Sequence, residues 1–207
     1  TWVRMMMSVS PSPSAKAGSL HIMQAESPGP APGKLVPKVG QTAKILYAIY
    51  IAMTLVQVIL LIIAGLPVYD AFIHAFGTAG TGGFSNMNRS VGEYNNVAVE
   101  IIITVFMFIF GVNFSLYYQG LKGNFKAFWR DEEFRFYTGT VVIAIALIVI
   151  NTLGTVYQGF WDSLRYASFQ VSSIITTTGY STVDFNLWPV FSKAILVVLM
   201  LVGACAG

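Results

Sequence analysis

"SIITTTGYSTVDFNLW", residues 173–188, places three consecutive threonines, a glycine and a tyrosine between two apolar stretches. Its meaning depends on what surrounds it. The 207 residues are 55% hydrophobic and 10% charged, with a mean hydropathy of +0.66. A soluble domain carries about 25% charged residues. This chain therefore has too little polar surface to dissolve as a globule, and it reads as an integral membrane protein. In hydrocarbon an unpaired backbone carbonyl costs several kcal/mol, so irregular backbone at membrane depth persists only against protein or water.

Four apolar stretches run from about Ala43 to Leu66, Asn96 to Gln119, Phe136 to Tyr157, and Pro189 to Val202. Each of the first three suffices to cross a hydrocarbon core of about 30 Å as a helix rising about 1.5 Å per residue. Residues 1–42 hold most of the prolines and read as a linker, partly cytoplasmic. Two connectors differ from aqueous loops. "LPVYDAFIHAFGTAGTGGFS" (66–85) and "YQGFWDSLRYASFQVSSIITTTGYS" (157–181) are half-apolar and aromatic, and each ends in a Thr/Gly cluster. Both are too short and too polar to span, a profile that suits a half-helix entering the membrane and turning back. Lys34, Lys38 and Lys44 precede the first stretch, and Lys122, Lys126, Arg130 and Arg135 fill the link between the second and third. The positive-inside rule puts these segments in the cytoplasm, so both half-helices dip in from outside. "KGNFKAFWRDEEFR" reads as an ordinary solvated loop.

The layout repeats. Gly83 pairs with Gly179, Thr81 with Thr177, Phe84 with Tyr180 and Ser85 with Ser181, each 96 positions apart. Upstream, "YDAF" (69–72) echoes "WDSL" (161–164) at a distance of 92, so the second half-helix is expected to be one turn longer. The predicted fold class is an all-α integral membrane protein of span–pore loop–span units, resembling a potassium channel. One unit covers 43–119, a cytoplasmic linker 120–135, and a second unit 136–207, cut within its outgoing helix. Thr1 and the stop at "GACAG" lead us to expect a piece of a longer protein.

A Thr/Gly run after a half-helix can line a pore with carbonyl oxygens that replace the hydration shell of a monovalent cation. Glycine permits the backbone angles that such a strand needs. The C-terminal end of the half-helix carries partial negative charge and would face the cation. The candidate filter residues are Thr81, Gly82, Gly83, Thr177, Thr178 and Gly179, with Thr176 a weaker one. Phe84 and Tyr180 are candidates for an aromatic cuff packed behind or above them. Asp70 and Asp162 open the half-helices, where a carboxylate would cap the N-terminus.

At these residues the chain resembles the Trk/Ktr family of potassium uptake proteins, the TrkH branch in particular. "TAGTGGFS" (78–85) is similar to that family's second filter loop and "SSIITTTGYSTVDFNLW" (172–188) to its third. "GVNFSLYY" (111–118) resembles the end of the second outgoing helix, and "AESPGPAPGKLVPKVGQTAKILY" (25–47) the linker before the second repeat. "LMLVGACAG" (199–207) resembles the approach to a glycine-rich break in the third outgoing helix. Gly80 departs from the pattern, standing where the family has a hydroxyl residue. The resemblance implies four loops around one pore, K⁺ as the transported ion at filter carbonyls, and no covalently bound cofactor. It implies a gate at Gly203 and Gly207, a homodimer, a cytoplasmic nucleotide-binding regulatory subunit, and a multi-pass place in the bacterial inner membrane.

Other residues read more plainly. His74 suits a satisfied structural histidine, and Asn113 a polar group facing a helix or water within the second span. Glu100 and Lys193 suit snorkelling at span ends, and Cys205 packs as a small residue. No Ser/His, paired-carboxylate or His/Cys metal pattern argues for an enzyme, and nothing points to nucleic acid; the surroundings are membrane lipid. The alternative function is a secondary transporter of a small solute built on discontinuous helices, which would put its two broken segments on opposite faces.

Overall fold

Two apolar stretches fold as single helices long enough to cross a bilayer, and a third does not. The computed structural model describes residues 39–124 and 126–206. Within it α1 spans Val39–Ile63 and α6 spans Glu132–Thr152; each contains 21 residues of membrane-crossing length and hydropathy. Their outward faces, including Ile59, Ile63, Val142, Ile143 and Ile150, are exposed apolar surface. Lipid is the solvent that such a surface needs. The proline-rich stretch lies, through residue 38, outside the described residues.

After α1 the chain turns at Gly65, whose φ is +98°, and enters the half-helix α2 (Val68–Ala79). Past a short 3₁₀ turn at Ser90–Tyr94, α3 covers Val97–Phe110. Asn96 starts α3 in two ways: its side-chain oxygen accepts from the Ala98 and Val99 amides, and its Nδ2 donates to the Ala64 carbonyl at 2.8 Å. That bond ties the end of α1 to the start of α3. The link then holds a short helix, α5 (Lys126–Arg130), so it is not wholly a loop. Asp131 caps α6 by accepting from the Phe134 amide at 2.7 Å. The second half-helix, α7, spans Phe160–Ile175, and α8 spans Val190–Ala206.

Two expectations about the outgoing helices need correction. The stretch 96–119 is not one continuous helix. Helix α3 ends at Phe110, and α4 (Phe114–Leu121) leaves at 92° after a three-residue break. Fourteen residues of α3 reach only about 21 Å. Asn113 is the N-cap of α4, accepting from the Ser115 amide at 3.0 Å and donating to Glu133 at 3.3 Å. Conversely, α8 runs helically through Gly203 to Ala206, so the described residues show no break at the expected gate. Gly203 instead permits close packing: a Cβ there would lie 2.5 Å from the Ile175 carbonyl. Gly207 is outside the described residues.

The two units share a core. Val58, Leu61, Ala71, Ala75, Val99, Ile103 and Met107 of the first unit enclose Phe169 and Tyr180 of the second. Helices α6, α7 and α8 close a second cluster around Ile148, Val171 and Leu196. Where α3 packs on α7, Glu100 turns inward rather than snorkelling, and its Oε2 lies 3.3 Å from Arg165 Nε. The guanidinium also stacks on the Tyr166 ring and lies 3.5 Å from the Asp162 carboxylate. Removing one member of a buried pair strands the other charge, up to ~3–5 kcal/mol; the second carboxylate and partial exposure of Arg165 make this case milder. Glu100→Ala should lower the melting temperature of the purified full-length protein by several degrees. The exchanged pair Glu100→Arg with Arg165→Glu should recover at least half of that loss; no recovery would mean that shape alone joins the units.

Candidate functional site

Both half-helices end in the same backbone geometry. Helix α2 has 12 residues and α7 has 16, so the second is longer by one turn, as the shift from 92 to 96 positions requires. From there the two chains match bond for bond. The amides of Gly82 and Gly83 both donate to the Gly77 carbonyl, at 2.8 and 3.3 Å. Those of Thr178 and Gly179 both donate to Ser173, at 2.9 and 3.2 Å. Thr81 bonds back to Thr78 and Thr177 to Ile174. Gly80 and Thr176 take the same conformation, φ −86° in each, so the departure at Gly80 leaves the helix end unchanged.

Glycines explain only half of the turn. Gly83 and Gly179 have φ of +62° and +89°, but Thr81 and Thr177 also lie in the left-handed region, at +50° and +56°. A β-branched residue there is strained by on the order of 1–3 kcal/mol. Such strain at two matched positions marks a geometry that the surrounding bonds impose. One consequence is that amides turn back into the half-helix while carbonyls do not. Among the described residues no donor reaches the carbonyl oxygens of Thr81, Gly82, Gly83, Thr177, Thr178 or Gly179. Thr81, Gly82, Thr177 and Gly179 are exposed, whereas Thr178 is buried. Thr176 belongs to the scaffold, its hydroxyl donating to the Ser172 carbonyl at 2.7 Å.

The loops lie against each other. A Cβ on Gly83 would fall onto the Thr178 carbonyl, whereas one on Gly179 meets nothing within 4 Å. Tyr180 is fully buried and crosses to the other unit, donating to the His74 and Phe84 carbonyls at 3.2 and 3.3 Å. It fits because Gly77 has no side chain there. Beyond the loops, the Gly92 amide donates to the Ser181 carbonyl at 3.2 Å, so both chains emerge on one side. At the other end of α3 from that bond, a cavity of about 290 Å³ is lined by Thr81, Thr176, Thr177, the Gly111–Asn113 break and Gly203.

Three sequence-based assignments change. Phe84 is not packed like Tyr180; the residue is 78% exposed and its ring lies beside Gly82, because no described residue offers it a recess like that at Gly77. Neither Asp70 nor Asp162 caps its helix through its side chain. Each is the third helical residue, already past the cap position. Asp70 is buried and accepts from Asn86 Nδ2 and Tyr94 Oη; Asp162, mostly exposed, meets Arg165. His74 is satisfied at both nitrogens, by the Asp70 carbonyl and Ser85 Oγ. The inward ion pair and the Asp70 contacts escaped sequence reading, since residue types alone do not reveal partners 24 or 65 positions away.

The family model for TrkH, described as a cation transport protein, matches residues 3–207. The chain belongs to the TrkH family. Relatives within TrkH-type systems include the Trk system potassium uptake protein TrkH of Salmonella typhimurium, 37% identical over 196 residues, covering 92% of this chain and 40% of that protein. TrkG of Escherichia coli, also a Trk system potassium uptake protein, is 30% identical over 195 residues with the same coverage. Among solved structures, the potassium transporter TrkH from Vibrio parahaemolyticus matches with a TM-score of 0.74 at 32% identity, covering 81% of this chain and 36% of that one. The TrkH-family chain thus spans about two fifths of the length of these curated relatives. Family and spans together make it an integral protein of the bacterial inner membrane.

The unequal surroundings of the two glycines yield a graded prediction. In the full-length TrkH-family protein, Gly83→Ala should abolish rubidium uptake, because both the φ and the Thr178 carbonyl oppose the new methyl group. Gly179→Ala meets the φ cost alone, about 1–2 kcal/mol, and should retain measurable uptake. Equal loss in both would refute the steric assignment.

Proposed function

We propose that this chain supplies two of the four strands of a potassium-selective pore, and that K⁺ moves inward through it. The observation that carries the reading is the matched pair of loops: carbonyl oxygens of Thr81–Gly83 and of Thr177–Gly179 without donors among the described residues, side by side, each behind a half-helix. Carbonyl dipoles can replace the water around a weakly hydrated monovalent cation, and the half-helix C-termini add partial negative charge. Neither "TGGF" (81–84) nor "TTTGY" (176–180) contains a carboxylate, so a divalent ion would find little there to offset its dehydration. The relatives are potassium uptake proteins, which supports K⁺ as the ion.

The cavity below the loops would receive the dehydrated ion, and the bend at Gly111–Asn113 shapes its wall. Two further copies of the loop would complete the ring, and one of them would cover the exposed Phe84. A homodimer in membrane lipid, controlled by a cytoplasmic nucleotide-binding subunit, fits the Trk system to which the relatives belong. The solute-transporter alternative needs its broken segments on opposite faces, and the Gly92–Ser181 hydrogen bond argues against that arrangement.

The test uses cells without their own potassium uptake systems, grown at limiting external K⁺. The full-length protein should restore growth, and Gly179→Ser should lose rescue or admit Na⁺. Unchanged K⁺-selective growth in the variant would remove the loops from the ion path.

A further inference from the structure

We propose that Asp70 and His74 are positioning residues for the second-repeat loop and set its ion preference by fixing the limb that leaves it; this rests on the filter reading above. Asp70 is 5% exposed, yet no cation faces it among the described residues. A buried carboxylate on a half-helix within a membrane protein is expensive and needs donors. Both of its donors come from the chain just past the loop: Asn86 Nδ2 at 2.6 Å on one oxygen and Tyr94 Oη at 2.9 Å on the other.

His74, one turn later, completes the clamp. Its Nδ1 lies 2.8 Å from the Asp70 carbonyl, which can only accept, so Nδ1 carries the proton. In the neutral ring, Nε2 then accepts from Ser85 Oγ at 3.0 Å. Ser85 Oγ in turn accepts from the Met87 amide at 3.1 Å. The imidazole is held between Tyr180, stacked at 5.6 Å, and Tyr94, edge-on at 5.4 Å. Residues 85, 86 and 87, starting two positions beyond Gly83, are thereby tied to one turn of α2. Tyr180 carries the constraint to the other loop through its bond to the Phe84 carbonyl.

The third-repeat loop lacks this clamp. Ninety-six positions on, the places of Asp70, His74, Ser85 and Asn86 are taken by Tyr166, Gln170, Ser181 and Thr182. Gln170 Oε1 and Thr182 Oγ1 are buried without a partner among the described protein atoms. That loop is held by different bonds: the Ser173 hydroxyl donates to the Tyr180 carbonyl at 2.6 Å, the Thr176 and Thr178 hydroxyls pair at 2.8 Å, and the Ser181 amide donates to Ser90 Oγ at 3.4 Å. A general requirement of the fold would put the same bonds in both units. Their restriction to one unit assigns Asp70 and His74 to the geometry of that loop.

The experiment measures rubidium uptake by the full-length protein in uptake-deficient cells, with K⁺ and Na⁺ as competitors and membrane abundance from an epitope tag. Asp70→Asn keeps the shape but replaces one acceptor oxygen with a donor. It should cut the ratio of Na⁺ to K⁺ inhibition constants about tenfold, the size of one lost hydrogen bond to a charged group, with abundance within about twofold of wild type. Should Asp70→Asn fail to reach the membrane, Tyr94→Phe decides: it keeps the ring on His74, removes one hydroxyl, and should shift the ratio in the same direction. A ratio unchanged in the variants that reach the membrane, while Gly83→Ala abolishes uptake, overturns the proposal and leaves the filter reading intact. Normal uptake by Gly83→Ala overturns the filter reading and the proposal with it.

Discussion

A backbone carbonyl inside a membrane needs a donor, a cation or water, and the structure is arranged around six that lack a donor among the described residues. The half-helices collect the amides of their loops at Gly77 and Ser173, and in doing so turn the neighbouring carbonyls away. Left-handed Thr81 and Thr177 are the local cost of that turn, paired with left-handed glycines two residues later. A tight Thr/Gly connection between soluble helices would need neither the strain nor the repetition. The loops hold this shape because each is pressed between its own half-helix and the adjoining unit.

Contact between the units is therefore part of the site. Tyr180 fills the space over Gly77, Phe169 enters the core of the first unit, and Gly92 approaches the Thr182 carbonyl more closely than any side chain would permit. Glu100 and Arg165 join α3 to α7. Each contact joins a loop, or the half-helix that carries it, to the next unit. Displacing one unit would move the carbonyls of both. This coupling explains why glycine recurs where the units meet, at Gly77, Gly83 and Gly92, positions where a methyl group would strike the other unit.

Much of this was legible in the residues, with misses of a consistent kind. Composition gave the membrane, and the change of spacing from 92 to 96 gave half-helices differing by a turn. Periodicity could not find the break at Gly111–Asn113, since Val112 and Phe114 keep the stretch apolar across it; the "GVN" triplet was the available signal. The glycine at 203 looked like an interruption, yet it lies within α8 and admits the Ile175 carbonyl. Asp70 suggested a cap because an acid near a helix start usually is one. Its actual partners, Asn86 and Tyr94, come from a loop whose return path the sequence does not specify. Phe84 and Tyr180 are equivalent along the chain but not in space, since only Tyr180 has a neighbouring half-helix here to receive it.

The most direct test is to locate the ion. Crystals of the full-length protein grown in rubidium, with anomalous scattering collected at the rubidium edge, would show where a K⁺ substitute resides. The account predicts anomalous density on the axis facing the carbonyls of Thr81–Gly83 and Thr177–Gly179. Density confined to other sites, with these carbonyls facing only water or protein, would contradict it.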